Sequence, residues 1–235
     1  MKPPIAVDLT HVNKISHPTL SQRVYDNLRE LLLAGQVHPG QKLTLKGLSE
    51  AMGTSQTPVR EAIRQLAAEG ALEILPNSGI RVPLMTKDGF RELLKIRLAL
   101  EGMAVEQAAR LISAEDLQIV EELHESLSLE MQCNAPNVAR VIKLNKQLHF
   151  AVYRASGMPI LVALIESIWL RVGPVLNLDM GSGSRRLSEA PALGHHAALF
   201  HGMQNRSPEQ SRAALAGDLM SSAEMILEGD GLPDD

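Results

Sequence analysis

The stretch that most narrows the fold is residues 48–68, LSEAMGTSQTPVREAIRQLAA. Leu48 and Met52 give a short helix an apolar face, and Gly53 ends it, because glycine accepts the left-handed backbone of a helix C-terminus. Ser55 or Thr54 is placed to cap a second helix, with Pro58 in its first turn, where a missing N–H costs nothing. Val59, Ala62, Ile63, Leu66 and Ala67 recur at helical spacing as its buried side, leaving Gln56, Thr57, Arg60 and Arg64 outside. Ser49, Gly53 and Val59 then form a helix-turn-helix frame. The small residue lets the helices cross closely, the glycine turns the chain, and the apolar residue plugs the angle between them. Spacing alone also suits an ordinary helical hairpin. The second helix, however, opens with polar and cationic side chains at the end whose dipole attracts phosphate.

The flanking sequence extends this frame. Leu20, Val24, Leu28, Leu31 and Leu32 share one face of a helix that Gly35 closes, followed by the turn His38-Pro39-Gly40. Residues 71–75 and 80–83 flank Pro76-Asn77-Ser78-Gly79 and read as a hairpin, which in this position is a wing. Beyond Met85 strand signals vanish, and helices are predicted at 87–112, 115–132, 137–155, 159–176, 190–204 and 208–228. Ser113, Asn134-Ala135-Pro136, Gly157-Met158-Pro159 and Ser207-Pro208 punctuate them, and residues 181–184, GSGS, read as a flexible loop. The expected fold class is mainly α. Residues 1–17 form a flexible arm, 18–84 a winged helix-turn-helix domain and 85–230 an all-α bundle, of the kind that builds ligand and metal sites between facing helices.

Composition excludes several alternatives. Aromatic residues make up only 3% of the 235 residues, so the core is aliphatic. A single cysteine, Cys133, rules out an intramolecular disulfide framework and a multi-cysteine metal knuckle. It is either a small buried hydrophobe or a free thiol in a reducing compartment. No signal-like start and no apolar run of membrane-span length is evident, so a cytoplasmic protein with no membrane partner is expected. Residues 1–85 carry nine Lys/Arg against seven Asp/Glu, whereas residues 86–235 carry fourteen against twenty. A mildly basic first part beside an acidic second part fits local DNA contact joined to a domain with another task.

These features resemble the GntR family of bacterial transcription regulators, in its FadR-type (FCD) subfamily. The likeness rests on LLLAGQVHPGQKL (31–43), LSEAMGTSQTPVREAIRQLAAEGAL (48–72) and PNSGIRV (76–82). In the second part it rests on RLALE (97–101), LHFAVYRASG (148–157) and GHHAALFHGMQNRSPEQSRAAL (194–215). The resemblance implies a homodimer on double-stranded operator DNA, a small carboxylate effector in the bundle, and no enzymatic activity. DNA contact would fall on Lys46, Gln56, Thr57 and Arg60, with Gly79 at the wing tip; Ser55 and Arg64 share that end and face of the helix. Relatives usually have arginine where this chain has Gln56. Arginine pairs with guanine and glutamine with adenine, so the operator half-site is expected to differ at one base pair, unless Gln56 touches only phosphate.

In this subfamily a divalent metal often holds the effector. The matching positions are Asn145, His149, His196 and Asp218. Asn145 and His149, four apart, share a helix face. Relatives mostly have Asp at the first of these positions and His at the last, so this chain has moved its carboxylate from Asn145 to Asp218. Two imidazoles, a carboxylate and an amide oxygen suit Zn, Ni, Mn or Fe(II). Arg97 matches an arginine facing the effector, and Arg171 lies on a helix able to line the same cavity. Bland alternatives are an intrahelical Arg97–Glu101 pair and a solvated Arg171. His195 and His201 neighbour the site, with His201 expected near the surface. Effector binding would act through residues 83–88 and the helix after them. Two other readings stay open: a constitutive DNA-binding dimer with a degenerate, metal-free bundle, and a metal-dependent enzyme.

Overall fold

The computed structural model describes residues 19–76, 79–176, 178 and 191–234. The expected arm at 1–17, the Asn77-Ser78 pair of the hairpin and the expected loop at 181–184 lie outside the described residues. Helix α1 (Leu20–Leu33) packs on α3 (Gln56–Ala68), and α2 (Leu45–Ala51) crosses α3. The crossing follows from the frame named above. Ser49 is buried with its hydroxyl donating to the Lys46 carbonyl, Gly53 has φ +62°, and Val59 is fully enclosed. In α1, Val24, Leu28 and Leu32 are buried as expected, whereas Leu20, at the open first turn, is half exposed.

The hairpin consists of β2 (Glu73–Leu75) and β3 (Gly79–Arg81), antiparallel with Ile74 opposite Ile80. A strand absent from the sequence reading, β1 (Lys42–Leu43), pairs with the other edge of β3 and makes the sheet order β1-β3-β2. Two residues have no periodicity to read; only the position of β3 makes this segment a strand.

The bundle comprises α4 (Lys87–Leu111), α5 (Ala114–Gln132), α6 (Val138–Ala155), α7 (Pro159–Leu176), α8 (Pro191–Gln204) and α9 (Pro208–Glu228). Their bounds follow side-chain caps. Thr86, Ser113, Asn137 and Ser207 each accept a hydrogen bond from a backbone N–H three residues on, satisfying donors that helix starts leave open. The chain beyond the expected end at 230 is still packed: Leu232 is buried and the Lys87 N–H donates to the Pro233 carbonyl.

One expectation needs correction. Helix α7 is 18 residues long with mean hydropathy 1.7, long and apolar enough by composition to cross a membrane. It serves here as a core helix, with Ile165, Trp169, Leu170, Val172 and Val175 essentially sealed. Gly173 lets its backbone approach the Leu32 carbonyl of α1 closely, where a Cβ would collide. Ion pairs flank that contact: Arg29–Glu166 at 2.6 Å to α7 and Glu30–Lys146 at 2.5 Å to α6. Cys133, for which burial was one option, is a free and exposed thiol.

Candidate functional sites

The first site is the outer side of α3. Gln56, Thr57, Arg60 and Arg64 are exposed while Pro58, Val59, Ala62, Ile63 and Leu66 are buried, so the apolar stripe turns the polar side outward. Lys46 on α2 is exposed and pairs loosely with Glu50 at 3.8 Å. Ser55 occupies the N-cap position of α3, but its side chain makes no cap hydrogen bond. This corrects the expected Ser/Thr cap, and Thr54 does not replace it, its hydroxyl being buried without a partner. The first N–H groups of α3 are thus not covered by their own cap. Gly79 begins β3 opposite Leu75. Arg60 and Arg64 border a hollow shared with Ile74 and Ile80 of the sheet.

The second site lies inside the bundle. His149 from α6, His196 from α8 and Asp218 from α9 converge, all buried, with one donor atom of each within 4.8 Å of the others. The His149 Nε2–Asp218 Oδ2 distance is 3.3 Å and the His196 Nε2–Asp218 Oδ1 distance is 3.4 Å. Burial would raise the Asp218 carboxyl, but His196 and then His149, the two imidazoles beside it, hold it well below the usual carboxylate range. Helices α8 and α9 are brought together by glycines. A Cβ at Gly202 would strike Ser211, and one at Gly217 would strike the His195 ring.

Asn145 lies one turn before His149 and lines a cavity of about 40 Å³ together with Asp218, Met131, Val141, Ile142 and Ser221. A metal fits this donor set. Bonds of about 2.0–2.2 Å to nitrogen and oxygen at roughly tetrahedral to right angles set N···O separations near 2.9–3.4 Å, and the two His–Asp218 distances, 3.3 and 3.4 Å, lie at the upper end of that range. Both nitrogens of His196 are also buried without a hydrogen-bond partner, an arrangement that is costly unless something is bound there.

Behind His149 runs a polar network that the sequence reading missed apart from its first pair. Arg97 donates to Glu101 through Nε at 2.6 Å and Nη2 at 3.2 Å. Tyr153 OH donates to Glu101 at 2.5 Å and Trp169 Nε1 donates at 3.1 Å. His149 Nδ1 is 3.0 Å from Tyr153 OH. Arg97 and Glu101 are thus the buried intrahelical pair considered above as the bland alternative, and the arginine lies 5.1 Å from the Trp169 ring centre. Burial pushes the Arg97 guanidinium down, but Glu101 more than restores it. Burial and then Glu101 push the Tyr153 phenol well up.

Arg171 is a correction. It is exposed and does not line the bundle cavity; its guanidinium lies over Gly70, in the cleft between the two parts of the chain. Its side chain leaves α7 on the side away from Trp169, an orientation that position on a helix alone could not settle. His201 is exposed as expected, while His195 packs on α9. His124, which no spacing singled out, stacks on Phe200 at 5.9 Å and has a lowered pKa from burial and then from His196 and His201.

A winged helix-turn-helix carried on a helical bundle with a buried polar site is the architecture of a DNA-binding regulator. Residues 20–82 match the family described as bacterial regulatory proteins, gntR family, and residues 92–219 match the FCD domain. The HTH-type transcriptional regulator McbR of Escherichia coli K12 is 36% identical over 164 residues, 70% of this chain and 73% of that one. The solved E. coli McbR/YncC structure has a TM-score of 0.82 at 31% identity, covering 89% of this chain and 98% of the other. A protein named as a probable D-xylose utilization operon transcriptional repressor, from Paenarthrobacter nicotinovorans, is 28% identical over 202 residues, 80% of this chain and 88% of its own. A GntR regulator from Rhodococcus sp. RHA1 shares the fold with a TM-score of 0.66 at 21% identity, over 88% of this chain and 97% of its own. The chain belongs to the GntR family of bacterial regulatory proteins and carries an FCD effector-binding domain. It is a transcriptional regulator, as the curated relatives are named regulators rather than enzymes.

Proposed function

We propose that the protein is a homodimeric repressor that binds a pseudopalindromic operator and is switched by a small carboxylate held, through a divalent metal, in the bundle. The observation that carries this reading is the buried convergence of His149, His196 and Asp218 beside a cavity. When bound, the ion supplies an electrophilic anchor for carboxylate oxygens. His149 and His196 would hold it through nitrogen and Asp218 through oxygen, with Asn145 one turn away. Asp218 supplies from α9 the negative charge that relatives carry at the position of Asn145.

The winged parts of the two copies would enter successive major grooves about 34 Å apart. Gln56, Thr57, Arg60 and Arg64 would face the bases and backbone, and Lys46, Ser55 and the wing residue Gly79 the flanking phosphates. One relative's description as a probable repressor supports the sign of regulation. The effector changes DNA affinity only through its differential affinity for two arrangements of the dimer. Residues 83–88 and α4 remain one route, and the Glu30–Lys146, Arg29–Glu166 and Gly173–Leu32 contacts supply a second from the bundle to α1.

Elemental analysis of protein purified without chelator, beside His149→Ala, tests the proposal together with operator-release assays on candidate acids. Stoichiometric metal in the native protein, lost in the variant along with the effector response, is expected. No metal in either preparation with the response intact would remove the metal from the scheme. Failure to bind any fragment of its own promoter region at low ionic strength would remove the operator.

A further inference from the structure

His149 has two ring nitrogens, and only Nε2 faces Asp218, at 3.3 Å. Nδ1 faces the Tyr153 hydroxyl, 3.0 Å away. That hydroxyl has one hydrogen, and it goes to Glu101 Oε2 at 2.5 Å. Glu101 is fully buried and also accepts from Arg97 and from the Trp169 indole. A carboxylate surrounded by donors has no hydrogen to return. The phenolic oxygen is therefore left as an acceptor, and among the described residues the group beside it that can fill it is His149 Nδ1–H. With the hydrogen on Nδ1, the lone pair of a neutral imidazole is on Nε2.

We propose that Glu101 and Tyr153 are positioning residues that fix the His149 ring and its tautomer, so that Nε2 is presented as a ligand nitrogen beside Asp218 and His196. This rests on the metal reading above and deepens it. It also gives Arg97 a task other than the one the resemblance implies: the guanidinium is occupied in donating through Nε and Nη2 to Glu101. Helices α4 and α7 thereby act on the site without touching the ion.

The test uses the full-length protein, stripped with chelator and titrated with Zn²⁺. It compares the native chain with Tyr153→Phe and Glu101→Gln. Zinc affinity is read by competition with a chromophoric chelator, and the ring hydrogen of His149 by long-range ¹H–¹⁵N spectra of the metal-free, histidine-labelled proteins. The metal-free native protein should hold the His149 hydrogen on Nδ1, and it should bind zinc. Loss of an outer partner of this kind typically costs 10–100-fold in metal affinity, so Tyr153→Phe should weaken zinc by that factor and release the hydrogen from Nδ1.

Glu101→Gln should invert the chain. Its amide donates to the Tyr153 oxygen, Tyr153 donates to Nδ1, and the ring hydrogen moves to Nε2, weakening zinc at least as much. Native zinc affinity in Tyr153→Phe overturns the proposal while leaving the metal reading standing, as does weakened affinity with the hydrogen still on Nδ1. No zinc binding by the native protein removes the metal reading and this proposal together, and the variants play no part in that result. Should Glu101→Gln fail to fold beside the buried Arg97, Tyr153→Phe decides alone.

Discussion

Two glycines on α8 should respond oppositely to alanine, and the difference follows from what each faces. Gly194 has nothing within 4 Å of the place a Cβ would take, whereas at Gly202 that atom would lie 2.5 Å from Ser211 Oγ, 2.8 Å from its N and 3.0 Å from its Cα. Alanine in a helix is worth about 0.5–1 kcal/mol over glycine, so Gly194→Ala should stabilise by that amount. Overpacking costs about 1–3 kcal/mol. Backbone atoms make up two of the three contacts at Gly202, placing its cost in the upper part of that range. After the helix gain is subtracted, Gly202→Ala should destabilise by about 1–2 kcal/mol. For a domain of this size, melting points would move by about +1 to +4 °C and −2 to −8 °C respectively. Scanning calorimetry of the metal-free proteins reads both. The clash also spreads α8 from α9, and so His196 from Asp218, so Gly202→Ala should lose metal uptake that Gly194→Ala keeps. A Gly202→Ala melting point at or above that of the native protein would refute the packing argument.

The chain has two tyrosines, and both should ionise late. Burial and then Glu69 raise Tyr25 to about 12, and Tyr153 lies well above its ordinary value. A raised folded pKa contributes stability that is complete below the unfolded value near 10 and is lost as pH rises through the folded one. Absorbance at 295 nm should therefore show no tyrosinate transition near pH 10; half of the signal titrating there would contradict the Tyr25–Glu69 contact. Asp218 has the opposite sign, its stabilisation being present above about pH 3.9 and lost as pH falls toward and through its depressed folded value. Asp218→Asn should flatten the acid limb of the urea-unfolding profile below about pH 4, and parallel acid limbs in both proteins would count against the His149 and His196 contacts of Asp218. In the DNA-binding part, Gln56→Arg should shift preference from adenine to guanine at one position of each half-site, by about 1–3 kcal/mol. Selection from a randomised operator reads this directly, and an unchanged motif would place Gln56 on phosphate.

Much of the fold was legible because its determinants are local. Ser49, Gly53 and Val59 specify a crossing of adjacent helices, and Ser113, Asn134-Ala135-Pro136 and Ser207 mark helix breaks within a few residues of where the chain bends. Caps, left-handed glycines and 3.6-residue periodicity act over one or two turns, and a linear sequence contains all of that information. Three of the four candidate ligands, His149, His196 and Asp218, were likewise legible by resemblance, and they converge in space. Two-residue β1 was not legible, since it is a strand only by virtue of the neighbour it pairs with.

The direction in which each helix turns its side chains toward the others was decided only in three dimensions. Arg97 and Arg171 look alike in sequence, each a cation on a long helix. Packing buries the first against Glu101 and Trp169 and leaves the second exposed over Gly70. Tyr153, Glu101 and Trp169 come from three helices and meet behind His149 only because α4, α6 and α7 cross there. Sequence by itself determined which segments coil and which faces are apolar, because those depend on neighbours along the chain. The partners inside the bundle depend on rotations and close approaches between helices far apart in sequence, and only the packed tertiary structure sets them.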